Sequence, residues 1–203
     1  MADDNDPDSI KIILIGDSGA GKTNLITVAA GYEFNSNSLT TRACSYIQKK
    51  YTINNSEYKV NVWDTIGQEK YRSLTKIFVK ESKIVIFVYD ITNRNSFESL
   101  PFWKKIVDEL LSDTPVLGIV GNKMDLYVDE QIKSDEVEKY ANEIGAKLLL
   151  TSAKTDSSSF SNFLEELLQD YLIKGKGERI QSFSLDKTPK KKEEKLLLGF
   201  YSL

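Results

Sequence analysis

The chain has 203 residues, 40% of them hydrophobic and 28% charged, enough for one well-buried domain of ordinary globular composition. The net charge of −3 gives no electrostatic reason to expect nucleic acid as a partner, and the absence of histidine excludes imidazole general-base chemistry and His-containing metal sites. Cys44 is the only cysteine, so neither an intrachain disulfide nor a thiolate zinc cluster is expected.

Residues 1–9 are acidic and polar and read as a flexible arm, unlike a signal peptide. Ile10–Ile15 is an apolar run broken only by Lys11, and it closes on Gly16 as a buried strand would. A helix is predicted over 22–30, stopping near Gly31. Tyr46–Ile53 and Tyr58–Trp63 flank Asn54-Asn55-Ser56, which reads as a hairpin turn. Ile84–Tyr89 and Val116–Val120 are continuous apolar runs, the pattern of strands covered on both faces, and Leu148–Leu150 is a third. Helical periodicity falls at about 97–111, 134–144 and 158–172. Strands alternating with helices predict right-handed crossovers and a mainly parallel sheet, with ligands at the carboxyl ends of its strands. The expected fold is α/β, a six-stranded, mainly parallel sheet with one antiparallel edge pair and about five flanking helices.

Gly16-Asp17-Ser18-Gly19-Ala20-Gly21-Lys22-Thr23 fits G-x-x-x-x-G-K-[S/T], with a strand before it and a helix after it. Glycines let the backbone wrap a phosphate with its N–H groups pointing inward, and the helix N-terminus adds favourable partial charge. Ser18, Gly19, Ala20, Gly21, Lys22, Thr23 and Asn24 are therefore the candidate phosphate contacts. Lys22 is expected at the β- and γ-phosphates, and the Thr23 hydroxyl at Mg²⁺. Two later strands close on Asn122-Lys123-Met124-Asp125 and on Ser152-Ala153-Lys154. A carboxylate such as Asp125 can accept from guanine's ring N–H and exocyclic amine, a donor pair that adenine lacks. The Lys123 stem can cover the face of the base. Either loop alone is a weak signal, but together they point to guanine.

These motifs, with Trp63-Asp64-Thr65-Ile66-Gly67-Gln68-Glu69 and Phe87-Val88-Tyr89-Asp90-Ile91-Thr92, resemble the Ras superfamily, and its Rab branch most of all, from about Ile10 to Leu172. The resemblance implies a GTPase switch that cycles between GTP and GDP with Mg²⁺. It implies that Phe34 stacks on the base, that Thr41 and Asp64 join Thr23 around the metal, that the Gly67 N–H senses the γ-phosphate, and that Gln68 orients the attacking water. It places Tyr46, Trp63 and Phe78 where Rab proteins carry an effector-facing aromatic triad; core aromatics are the other reading. Partners implied are an exchange factor, a GTPase-activating protein and effectors, meeting residues 35–46 and 65–78. A cytoplasmic monomer, recruited to endomembranes through partners, is the expectation.

The chain departs from the family at Ile66, where alanine is usual. A β-branched side chain there is expected to slow hydrolysis, and a guanine-nucleotide binder with little hydrolysis is the alternative reading. A nucleotide kinase is a second alternative, opposed by the lack of a basic lid segment. After Thr41 the chain reads Arg42-Ala43-Cys44-Ser45-Tyr46 instead of the usual Rab sequence, so the usual effectors are not expected. The domain is expected over 10–173 and a linker or tail over 174–203, without a cysteine for a lipid anchor. Glu194–Gly199 resembles Lys11–Gly16, and two readings stand for it: the opening strand of a second G domain, or an apolar tail.

Overall fold

The computed structural model describes residues 9–36, 45–65 and 78–185, with residues 176–185 as backbone alone. The chain divides into two compact units, Met1–Tyr171 and Leu172–Leu203. The first unit contains β1 (Ile10–Ile15), α1 (Lys22–Ala29), β2 (Ser45–Ile53), β3 (Ser56–Asp64) and β4 (Ile84–Asp90). These are followed by α2 (Arg94–Glu98), α3 (Leu100–Leu110), β5 (Val116–Asn122), a 3₁₀ stretch (Met124–Asp129), α4 (Ser134–Ile144) and β6 (Lys147–Leu150). A last helix, α5 (Ser159–Leu185), runs beyond the apolar periodicity that ends at Leu172.

The six strands form one sheet in the order β2-β3-β1-β4-β5-β6. All neighbours are parallel except β2 and β3, the expected antiparallel edge pair. Asn54 and Asn55 both have positive φ, 50° and 62°, so the hairpin closes on a two-residue turn and Ser56 already belongs to β3. All seven residues of β4 are buried, which explains its unbroken apolar run: helices cover both faces of the sheet centre. On one face Ile13, Ile15, Phe87 and Ile119 pack with Trp103, Ile106 and Val137. On the other, a Cβ added at Gly118 would lie 3.0 Å from both Leu167 and Phe163, so β5 and α5 are in close contact through the absence of a side chain.

The single helix expected over 97–111 is two helices joined at Ser99. Pro101 has no N–H to continue a helix through this point and sits in the first turn of α3, where none is needed. Asn93 starts α2, its side chain accepting from the Asn95 N–H at 3.1 Å. Asn93→Ala is expected to cost about 1 kcal/mol in urea unfolding, with the slope of the transition unchanged.

The strand order reverses around β1, which has β3 on one side and β4 on the other. A crevice opens at the carboxyl ends of the strands on such a sheet, and the glycine-rich loop leaves β1 directly into it.

Candidate functional site

The loop after β1 follows the path its glycines permit. Gly19 and Gly21 have φ of 82° and 91°, a region that L side chains rarely adopt. A Cβ on Gly16 would lie 2.1 Å from the Val88 carbonyl oxygen, so the loop begins hard against β4. Gly21 is the N-cap of α1, and Lys22 opens the helix.

Lys22 is only 5% exposed. Its Nζ donates to the carbonyls of Gly16 at 2.7 Å and Asp17 at 2.9 Å. Burial pulls its pKa down to about 8, against the opposing pull of Asp64 and Asp17. A buried ammonium at a helix N-terminus is a site for a polyanion.

One residue further, the Thr23 hydroxyl donates to Asp64 Oδ2 at 2.7 Å, joining α1 to the end of β3. Thr65 donates to the Leu14 carbonyl at 2.6 Å and fixes that end beside β1. A hydroxyl and a carboxylate this close, next to an anion site, form a hard oxygen donor set of the kind that Mg²⁺ prefers.

The second half of the site comes from the loops after β5 and β6. Asn122 is 2% exposed and joins three segments. Its side-chain amide donates to the Ala20 carbonyl at 2.9 Å and accepts from the Ala153 N–H at 3.1 Å. Lys123 takes a left-handed backbone conformation, φ 72°, and its ammonium pairs with Asp90 at 2.6 Å. Asp90 in turn accepts from the Thr92 N–H and hydroxyl. Asp125 accepts from the Ser152 hydroxyl at 2.6 Å, and Lys154 lies 3.7 Å from its other oxygen.

Together these loops enclose a cavity of about 410 Å³, the size range of small-molecule sites. Ser18, Gly19, Gly21, Lys22, Thr23 and Asn24 line it from the loop after β1 and the start of α1, Asn122, Lys123, Asp125, Ser152, Ala153 and Lys154 from the loops after β5 and β6, and Phe34 also lines it. Ala20, 1% exposed, stands behind the wall and contributes its carbonyl to Asn122. Ser36, Thr65 and Leu126 also line the cavity and were not foreseen. Thr65 and Leu126 adjoin expected site residues in sequence; Ser36 carries no motif signal. Asp90, which anchors Lys123, belongs to the Phe87–Thr92 motif of the resemblance but had no site role assigned. Thr41, Ile66, Gly67 and Gln68 lie outside the described residues.

On the sheet edge beside the site, Tyr46 and Trp63 stack with ring centroids 4.7 Å apart, and Phe78 follows Trp63 at 5.8 Å. All three are half-buried and contiguous, and Trp63 and Phe78 also pack against the core cluster, so both the triad and the core-aromatic readings stand.

A model of the Ras family matches residues 11–172. The Ras-related protein Rab-21 of Homo sapiens is 36% identical over 162 residues, covering 80% of this chain and 70% of the relative. The Ras-related protein Rab-13 of Bos taurus is 34% identical over 172 residues, covering 85% and 84%. Rab-13 of Mesocricetus auratus is 33% identical over 195 residues, covering 93% and 96%.

Proposed function

Because the chain belongs to the Ras family of small GTPases, and is Rab-like within it, we propose that its cavity takes GTP or GDP with Mg²⁺, that it hydrolyses GTP slowly, and that it reports the nucleotide state to partners. The observation that carries this reading is Asn122. One buried amide ties the phosphate loop, through Ala20, to the loop that follows β6, through Ala153, so the phosphate end and the base end are built as one site.

In this reading the loop N–H groups and Lys22 hold the phosphates, and Asp125, oriented by Ser152, accepts from guanine. Phe34 and the Lys123 stem flank the base. Thr23 and Asp64, with Thr41, would hold Mg²⁺, which would supply charge neutralisation on the phosphates. Gly67 contacts the γ-phosphate through its N–H, and Gln68 orients water for attack on it. Loss of that phosphate frees the segments around Thr41 and Gly67, and partners that prefer one arrangement read the difference. In this reading effectors would dock on the surface that Tyr46, Trp63 and Phe78 form. No helix among the described residues is long and apolar enough to cross a membrane, and action at the cytosolic face of endomembranes would come through partners.

Ile66 sets the rate in this proposal. Its branched side chain lies in sequence between the metal contact and the γ-phosphate contact, where bulk hinders closure or water placement. Single-turnover hydrolysis of bound GTP, followed by chromatography, is expected to take minutes to hours. Ile66→Ala should raise the rate about tenfold, a change of about 1.4 kcal/mol in barrier. An unchanged rate would release Ile66 from this role. Stable GTP in the wild type with turnover in the variant would identify a binding module whose cycle is stalled at that residue.

A further inference from the structure

One acidic side chain sits inside the loop that is built to receive phosphates. Asp17 is half-buried, and it is not among the residues that line the cavity, although its neighbours Ser18 and Gly19 are. Its carboxylate points elsewhere: Oδ1 accepts the indole N–H of Trp103 at 2.9 Å. Trp103 belongs to α3 and is 1% exposed, packed in the cluster that holds Phe87, Tyr89 and Ile15. It is therefore a rigid donor far along the chain. The same Asp17 receives the Lys22 ammonium on its main-chain carbonyl. A negative group in this loop opposes a bound polyphosphate unless it is held back, because like charges at short range repel.

We infer that Trp103 is a positioning residue for nucleotide binding, and that its indole N–H holds the Asp17 carboxylate away from the phosphates and fixes the peptide that receives Lys22. This inference rests on the nucleotide reading of the cavity. Hydrogen bonds to charged groups are worth enough to shift an equilibrium by tenfold or more, so loss of the tether should be visible in nucleotide release.

The test is the release rate of a fluorescent GDP from the full chain, chased with excess GDP and Mg²⁺. Trp103→Phe keeps the ring in the core and removes the donor. It is expected to speed release about tenfold at 0.1 M KCl, and by a smaller factor at 0.5 M KCl, where the freed carboxylate is screened. Placed on an Asp17→Ala background, the same substitution should change release by less than about twofold, because the group it acts through is gone. An equal acceleration on both backgrounds would assign Trp103 to the core alone, and no acceleration in the wild-type background would remove the tether's role altogether; either result overturns the inference. A second measurement needs no Trp103 variant. By reciprocity, bound GDP should slow exchange of the Trp103 indole proton, read by nuclear magnetic resonance on the chain with and without GDP. Equal exchange with and without GDP would also overturn it. Failure of the wild type to retain any guanine nucleotide is a different result: it would defeat the nucleotide reading, and the inference with it.

Discussion

Gly21→Ala is expected to weaken GDP binding at least a hundredfold, about 2.7 kcal/mol, while Gly19→Ala costs far less. Both glycines have positive φ, so either substitution meets the same backbone penalty of about 1–2 kcal/mol. They differ in surroundings. A Cβ on Gly21 would lie 2.2 Å from the Asn122 amide nitrogen, whereas one on Gly19 has nothing within 4 Å. Asn122 cannot move aside cheaply, because its amide is engaged at both ends and buried. The alanine must either displace the start of α1 or break the tie to Ala20. Displacement moves Lys22, and breakage leaves a buried donor without its acceptor. Titration with fluorescent GDP distinguishes the two glycines. Equal losses would mean that backbone conformation alone governs the loop, and the tie through Asn122 would then have no special weight.

Much of this architecture was legible because local rules and tertiary context agree. The runs Ile84–Tyr89 and Val116–Val120 carry no polar side chain before their last residue because helices cover both faces, and the glycine-rich loop follows the strand that its motif demands. Where tertiary context decided, the sequence was silent or misleading. Apolar periodicity runs smoothly across Phe97 and Leu100, and only the missing N–H of Pro101 divides α2 from α3. Nothing in an Asn-Lys-x-Asp turn shows that its asparagine joins Ala20 to Ala153, because that role depends on three segments converging. The tie from Trp103 to Asp17 joins residues 86 apart in the chain and has no local signature: a tryptophan on an apolar helix face reads as core, and here it is core and donor together. Lys123 is legible as a residue of the base end, but its pairing with Asp90, at the end of the neighbouring strand, has no signal in the turn itself.

Asp125→Ala is expected to remove guanine selectivity, with a loss of about a thousandfold in GDP affinity and a change of less than about threefold for ADP. A half-buried carboxylate that accepts from two donors of guanine contributes charge-assisted bonds, and adenine supplies no such pair, so it leaves the acid unmatched. The geometry favours selectivity of this kind. The Asp125 side chain is 14% exposed, and one of its oxygens already accepts from Ser152 at 2.6 Å, which fixes its plane. Lys154 stands 3.7 Å from the other oxygen. Competition among GDP, IDP and ADP resolves the two bonds, because inosine keeps the ring N–H and lacks the exocyclic amine. The wild type should prefer GDP over IDP about tenfold or more, and the variant should bind both alike. Ser152→Ala should fall between them, losing about tenfold for GDP, since the carboxylate stays but its orientation is no longer held. If Asp125→Ala weakened GDP and ADP by the same factor, the carboxylate would be bracing the loop through Ser152 rather than reading the base, and specificity would have to come from the backbone around Ala153 and Lys154.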